Sequence, residues 1–304
     1  MPALVVTLAV AACATPPQSL ELQRNPPPIA LATELEQVPF YPQQQYHCGP
    51  AALAAVLNYR GSDLSPEAIA ERVFVPGLEG SLQVEIVAAT RRYGYLPVKL
   101  DGSLESLLQE LEAGNPVFVL QNLALSYYPR WHYEVVIGYD LERQRMILRS
   151  GVNRRITREF ATFERTWRRA GYWALVIVDA ASVPATATVD AYLQAVIGME
   201  QVGELEIARL GYETAAQRWP GSSLALGGLG NASYALGQYA DAEAAYLDAL
   251  AIESGNAEIW NNLAYARAQL GKRELSMQAI ARARELDPAN PAYLDSQREL
   301  LGWQ

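Results

Sequence analysis

A 34-residue period in the last third of the chain constrains the fold more than any other feature of the sequence. Aligning 189–222, 223–256 and 257–290 puts Ala208, Ala242 and Ser276 in one column. Tyr212, Tyr246 and Ile280 form a second, and Ala215, Ala249 and Ala283 a third. Gly203, Gly237 and Gly271 recur where a chain turns between two helices, and Pro220, Ser254 and Pro288 stand two positions from each repeat's end. Such a period describes a helix pair that cannot bury its apolar face alone and stacks on its neighbours. The small columns let paired helices approach closely, while the large ones fill the space between pairs. Residues 291–304 then predict a capping helix.

This pattern resembles the tetratricopeptide repeat, most closely in the third unit with Trp260, Leu263, Ala264 and Asp287-Pro288. The resemblance implies an all-α solenoid over 189–304, with a surface for a peptide or protein partner. The alternative is an appendage that stabilises or spaces the preceding domain. Residues 181–188 (Ala-Ser-Val-Pro-Ala-Thr-Ala-Thr) are small, uncharged and read as a linker. Charge changes across it. Residues 38–180 hold 15 basic and 15 acidic side chains, against 8 and 15 in 181–304, so most of the net charge of −9 lies in the repeats.

Half of the 304 residues are hydrophobic and 19% are charged, which suits packed cores. Two cysteines and two histidines exclude zinc-finger, zinc-ribbon and iron–sulfur sites, which need about four such ligands. We therefore expect no metal and no cofactor. The acidic balance argues against nucleic acid as a partner.

The two cysteines have different surroundings. Leu4–Ala12 is an apolar run too short to span a bilayer, and it fits the apolar region of a secretory signal. Val10-Ala11-Ala12-Cys13 resembles the bacterial lipoprotein box, which implies a signal peptide over 1–13 and lipidation of Cys13. No basic residue precedes Arg24, a departure from such signals that leaves the true start codon open. The expectation is a protein held in the cell envelope on the periplasmic side, outer membrane favoured over inner, touching the membrane through its lipid anchor only. Residues 14–37, rich in Pro and Gln, predict an extended tether.

Cys48 lies in Gln43-Gln44-Gln45-Tyr46-His47-Cys48-Gly49-Pro50-Ala51-Ala52, and 49–59 predicts a helix. A thiol at a helix start meets free N–H groups that favour the thiolate. A glutamine a few residues earlier can donate to an oxyanion. His47 adjoins Cys48 and would point away from its sulfur, which leaves His132 as the base, at the head of the strand predicted over 133–139. Further helices are predicted from Ser65 and over 82–93 and 104–113, with strands over 116–121, 146–149 and 172–178. Helices followed by an antiparallel sheet give an α+β domain over 38–180. The arginines at 149, 154, 155, 158, 165, 168 and 169 read as a solvated face or as a receiver of acidic groups.

Gln-x4-Cys-Gly-Pro-Ala-Ala with Trp131-His132-Tyr133-x-Val135-Val136-x-Gly138-Tyr139 resembles the papain-like cysteine peptidases, and among them the bacterial family that removes double-glycine leaders from bacteriocin precursors. The resemblance covers about 38–178. It implies Cys48 as nucleophile, His132 as general base and Gln43 as oxyanion donor, with Gln44 also in range. The family supplies an Asp after the next strand to orient the imidazole, where this chain has Leu148-Arg149-Ser150-Gly151. Ser150 is the nearest candidate for that role, ahead of Asn153 and Asp140. The implied activity is peptide-bond hydrolysis of a peptide or protein substrate recruited by the repeats. A catalytically weak scaffold, and acyl transfer to an amine, both remain open.

Overall fold

The computed structural model describes residues 15–42, 48–73 and 80–302. The chain forms two compact units. One comprises residues up to 81 together with 100–175, the other 82–99 together with 176–304.

The first unit opens with α1 (Pro17–Arg24) and β1 (Ala32–Glu34), followed by α2 (Cys48–Tyr59) and α3 (Pro66–Val73). Helix α4 (Gln83–Arg92) and strand β2 (Leu96–Lys99) belong to the second unit. The first unit resumes with α5 (Leu104–Glu112), β3 (Val117–Asn122), β4 (Trp131–Asp140), β5 (Arg145–Ser150), β6 (Asn153–Glu159) and α6 (Phe160–Arg168). The chain passes into the second unit within β7 (Ala174–Val178). Seven helices follow, α7 (Val189–Gln201), α8 (Leu205–Arg218), α9 (Ser223–Ala235), α10 (Tyr239–Ile252), α11 (Ala257–Gln269), α12 (Arg273–Leu286) and α13 (Pro291–Gly302).

The segment expected as an extended tether differs from that expectation. It contains α1, which carries a buried Ser19 and Leu22. Pro17 has no N–H to leave unpaired at the helix start. The next two N–H groups, of Gln18 and Ser19, donate to the buried Glu164 carboxylate of α6 at 3.1 and 2.6 Å, and the Ser19 hydroxyl adds a third bond of 2.6 Å. A carboxylate at a helix N-terminus meets both the free donors and the positive end of the dipole. Helix α6 itself was not expected from the sequence. Phe160, Phe163 and Trp167 lie at helical spacing and are all buried.

Helix α2 is buried continuously from Gly49 to Leu57, so it is a core helix and not an amphipathic one. Its alanines allow close packing against the sheet. Strand β4 organises that sheet. β3 pairs antiparallel with its first half, from Asn122 opposite Trp131 to Val117 opposite Val136. β1 pairs with its second half, where Glu34 faces Gly138 and Ala32 faces Asp140. β5 runs along the remaining edge, with an irregularity between Val136 and Gly138, and β6 pairs outside β5. A Cβ at Gly138 would sit 2.2 Å from the Thr33 carbonyl oxygen and 2.9 Å from Glu34 Cα, both backbone atoms. Strand β6 also escaped the sequence reading. It is an exposed, arginine-bearing strand, as sheet edges often are.

In the second unit the helix pairs repeat in register. Thr188, Ser222 and Asn256, each 34 residues apart, cap α7, α9 and α11 by accepting from the third N–H of the helix. Gly203, Gly237 and Gly271 take the left-handed φ of 86°, 75° and 71° that turns each pair. The close approach has its cause in small residues. A Cβ at Gly228 would lie 2.3 Å from the Tyr212 ring, and one at Gly230 would lie 2.4 Å from the Tyr246 ring. Residues 82–99 join this unit through β2, which packs on α7, and the Arg91 guanidinium of α4 lies where a Cβ on Gly198 of α7 would fall.

Gly138→Ala puts a methyl group against β1 backbone that cannot swing aside. It should cost about 1–3 kcal/mol of the first unit's stability, read as a lower denaturation midpoint. Gly61→Ala, whose Cβ meets nothing, should cost less despite its positive φ of 99°.

Candidate active site

Cys48 is the first residue of α2 and a free thiol. The backbone N–H groups of Tyr133, Gly49 and Cys48 itself favour its thiolate form. Burial nevertheless dominates and pushes the thiol up from its ordinary value, with the nearby Glu134 adding to the rise. The helix start therefore does not produce the low thiol pKa expected from the sequence, because the sulfur is desolvated. The Tyr133 N–H ties the sulfur to β4 at the residue after His132.

His132 and Glu134 lie two residues apart on β4 and share one face of the strand. Arg149 of β5 pairs with Val135, which brings the next residue, Ser150, beside Glu134. The three side chains meet. His132 Nε2 is 3.2 Å from Ser150 Oγ and 3.4 Å from Glu134 Oε1, and Ser150 Oγ donates to Glu134 Oε1 at 2.5 Å. The His132 side chain is 19% exposed and that of Glu134 only 5%. Burial first, then the positive charge of Arg130, lowers His132 to about 4. Burial raises Glu134, against the Ser150 hydrogen bond and the charge of Arg158. Thus the His132–Glu134 contact becomes an ion pair only once the ring is protonated. At rest the imidazole is neutral.

The other candidates fall elsewhere. Cys13, Gln43, Gln44 and His47 lie outside the described residues. Asp140 caps the β4–β5 turn, accepting from the Arg143 backbone and guanidinium at 2.8 Å each. Asn153 is exposed at the start of β6, opposite Ser150 in the ladder. Glu134 was missed in the sequence because the family pattern leaves that position unspecified. The period of two in His-x-Glu was the available signal.

The arginine cluster divides by role. Arg149 is buried and donates to the carbonyls of Glu36, Val38 and Arg154, which pins the chain that leads into the Gln43 stretch. Arg155 forms a two-pronged pair with Glu34 of β1 at 2.8 and 2.9 Å, and Arg169 donates to the Asn122 carbonyl. These three are structural and not a free cationic face. Among the described residues, no group of three or more His, Cys, Asp or Glu side chains could hold a metal ion. Nor is any described helix long and apolar enough to cross a membrane.

Residues 35–175 match the Peptidase_C39 like family. Residues 257–290 match the tetratricopeptide repeat. The chain is thus an N-terminal C39-like sheet domain followed by a run of helices that contains a tetratricopeptide repeat. Among solved structures, a protein described as a C39-like peptidase from Bacillus anthracis is 20% identical and covers 48% of this chain and 97% of its own, with a TM-score of 0.42. The first tetratricopeptide domain of Spaghetti (RPAP3), bound to an HSP90 peptide, is 19% identical and covers 37% of this chain and 90% of its own at a TM-score of 0.36. The Arabidopsis OM64 tetratricopeptide domain is 16% identical, covering 37% and 93%, also at 0.36. No curated protein is similar enough to count as a match.

The neutral ring has a measurable consequence. An unfolded histidine titrates near 6.5 and the folded His132 near 4. Between those values the unfolded chain binds more protons. The stability held by the neutral ring is therefore present above pH 6.5 and is lost as pH falls toward 4. An NMR titration of His132 should give a midpoint near 4; a midpoint near 6.5 contradicts the burial argument. His132→Gln should remove this acid-side loss, which totals about 3 kcal/mol between pH 6.5 and 4.

Proposed function

We propose that the C39-like domain is a cysteine peptidase in which Cys48 is the nucleophile and His132 the general base. The observation that carries this reading is the thiol at the start of α2, drawn by the Tyr133 N–H onto the strand that presents a neutral, buried imidazole. Because thiol and imidazole are both uncharged at rest, the proton moves as the substrate reacts and not beforehand. His132 takes the Cys48 proton, and the sulfur attacks the peptide carbonyl to give a tetrahedral oxyanion. The Cys48 N–H and the Gln43 side chain stabilise that oxyanion. His132 then returns the proton to the leaving amine, and water, deprotonated by the same ring, releases the thioester-bound acyl group.

Substrate and location extend the same reading. Cleavage after Gly-Gly is the specificity implied by the motif resemblance, since the family removes double-glycine leaders. The helical unit recruits a protein partner or substrate along its repeated surface, where its acidic excess favours a basic segment. A lipid on Cys13 would hold the protein at the periplasmic face of the envelope.

Cys48→Ala should abolish both cleavage of a peptide with a Gly-Gly junction and labelling by a thiol-directed probe. His132→Ala should slow labelling at neutral pH at least tenfold. Cleavage that persists in Cys48→Ala contradicts the assignment. A wild-type Cys48 that cannot be labelled leaves a peptidase-fold scaffold whose helices do the work.

A further inference from the structure

Glu134 is a carboxyl group buried to 5% exposure, and His132 is its ion-pair partner among the described residues. Burying such a group costs free energy unless its neighbours satisfy it. Its neighbours are Ser150 and His132, on β5 and on β4 itself. A valine or isoleucine would suit this strand position better for stability alone, so the carboxyl has a use other than packing.

The direction of the hydrogen bonds shows that use. Ser150 has one hydroxyl proton and donates it to Glu134 Oε1 at 2.5 Å. It can meet His132 Nε2 only as an acceptor, so Nε2 carries the ring proton. The lone pair is then confined to Nδ1, on the other side of the ring. We propose that Glu134, acting through Ser150, is the positioning residue that fixes His132 as the Nε2–H tautomer and leaves Nδ1 to accept the Cys48 proton. The carboxyl that orients the ring thus comes from two residues after the histidine on its own strand, with a serine on the next strand as the link. When the proton leaves Cys48 for Nδ1, the ring becomes a cation and its Nε2–H bond to Ser150 strengthens. Ser150 in turn leans on Glu134, and no proton need leave the chain of three. The charged groups around Glu134 fit this role, since Arg158 favours its carboxylate while His132 becomes its counter-charge only during the reaction.

This inference rests on the reading of Cys48 and His132 as nucleophile and base, and it has its own readout. Nitrogen-15 NMR of His132 reports the tautomer without any substrate, and the rate of Cys48 alkylation by iodoacetamide reports the base. In the wild-type chain a single Nε2–H tautomer is expected. Glu134→Val should give a mixture of tautomers and slow alkylation at pH 7 about tenfold. Glu134→Gln, which keeps an oxygen acceptor, should retain the tautomer and a rate within about threefold of wild type. Should Glu134→Val melt below the assay temperature, Ser150→Ala cuts the same link and should give the same two changes. An unchanged tautomer and rate in a folded Glu134→Val or Ser150→Ala overturns the proposal. A fixed tautomer in a chain that cleaves no peptide contradicts the peptidase reading and leaves the relay standing.

Discussion

The antiparallel ladder of β4 is the constraint on which the first unit depends. Ten residues of one strand pair with β3 and β1 along one edge and with β5 along the other. The same pairing fixes which side chains alternate to which face. A slip of one residue would exchange His132 for Tyr133 and Glu134 for Val135, so the register that builds the sheet also places the imidazole. Gly138 makes the arrangement feasible, because β1 crosses it at a distance that leaves no room for a side chain. Arg149, next to Ser150, ties the chain leaving β1 to β5 through the carbonyls of Glu36 and Val38, and that chain leads to the Gln43 stretch.

Electrostatics in this unit follow from the same burial. Desolvation pushes Cys48 and Glu134 toward their protonated forms and His132 toward its neutral form. The three shifts are mutually consistent, since each disfavours a charge in a dry site, and at Glu134 the Ser150 hydrogen bond and the charge of Arg158 oppose the rise. A preformed thiolate–imidazolium pair would reverse two of them. The geometry instead suits a base that acts when a substrate carbonyl arrives, in a site whose hydrogen bonds are already oriented.

Much of the helical unit was legible in the sequence because its cause is periodic. Turn glycines and small columns recur every 34 residues, and the structure adds caps at the same period in Thr188, Ser222 and Asn256. In the first unit, Cys48 before Gly-Pro and His132 in Trp-His-Tyr were marked by their neighbours, as was the run of alanines in α2. What escaped has physical reasons. Helix α1 owes its place to Glu164, 145 residues away from Ser19, so no local pattern announces it. Strand β6 is rich in arginine because it is an edge, and its composition reads as a charged surface. Glu134 falls at a position that the motif leaves unspecified, and only the cross-strand neighbour Ser150 gives it meaning. The raised thiol pKa depends on three-dimensional burial, which a helix start in a sequence cannot convey.

The central claim is that Cys48 forms a covalent intermediate with the aid of His132. Intact-mass spectrometry after incubation with a Gly-Gly peptide nitrile tests it most directly, because a nitrile needs both an activated sulfur and a proton donor to form a stable thioimidate. The account predicts one adduct per chain, mapped to Cys48, and none in His132→Ala or Cys48→Ala. An adduct that forms equally well without His132, or a folded wild-type chain that forms none, would contradict it.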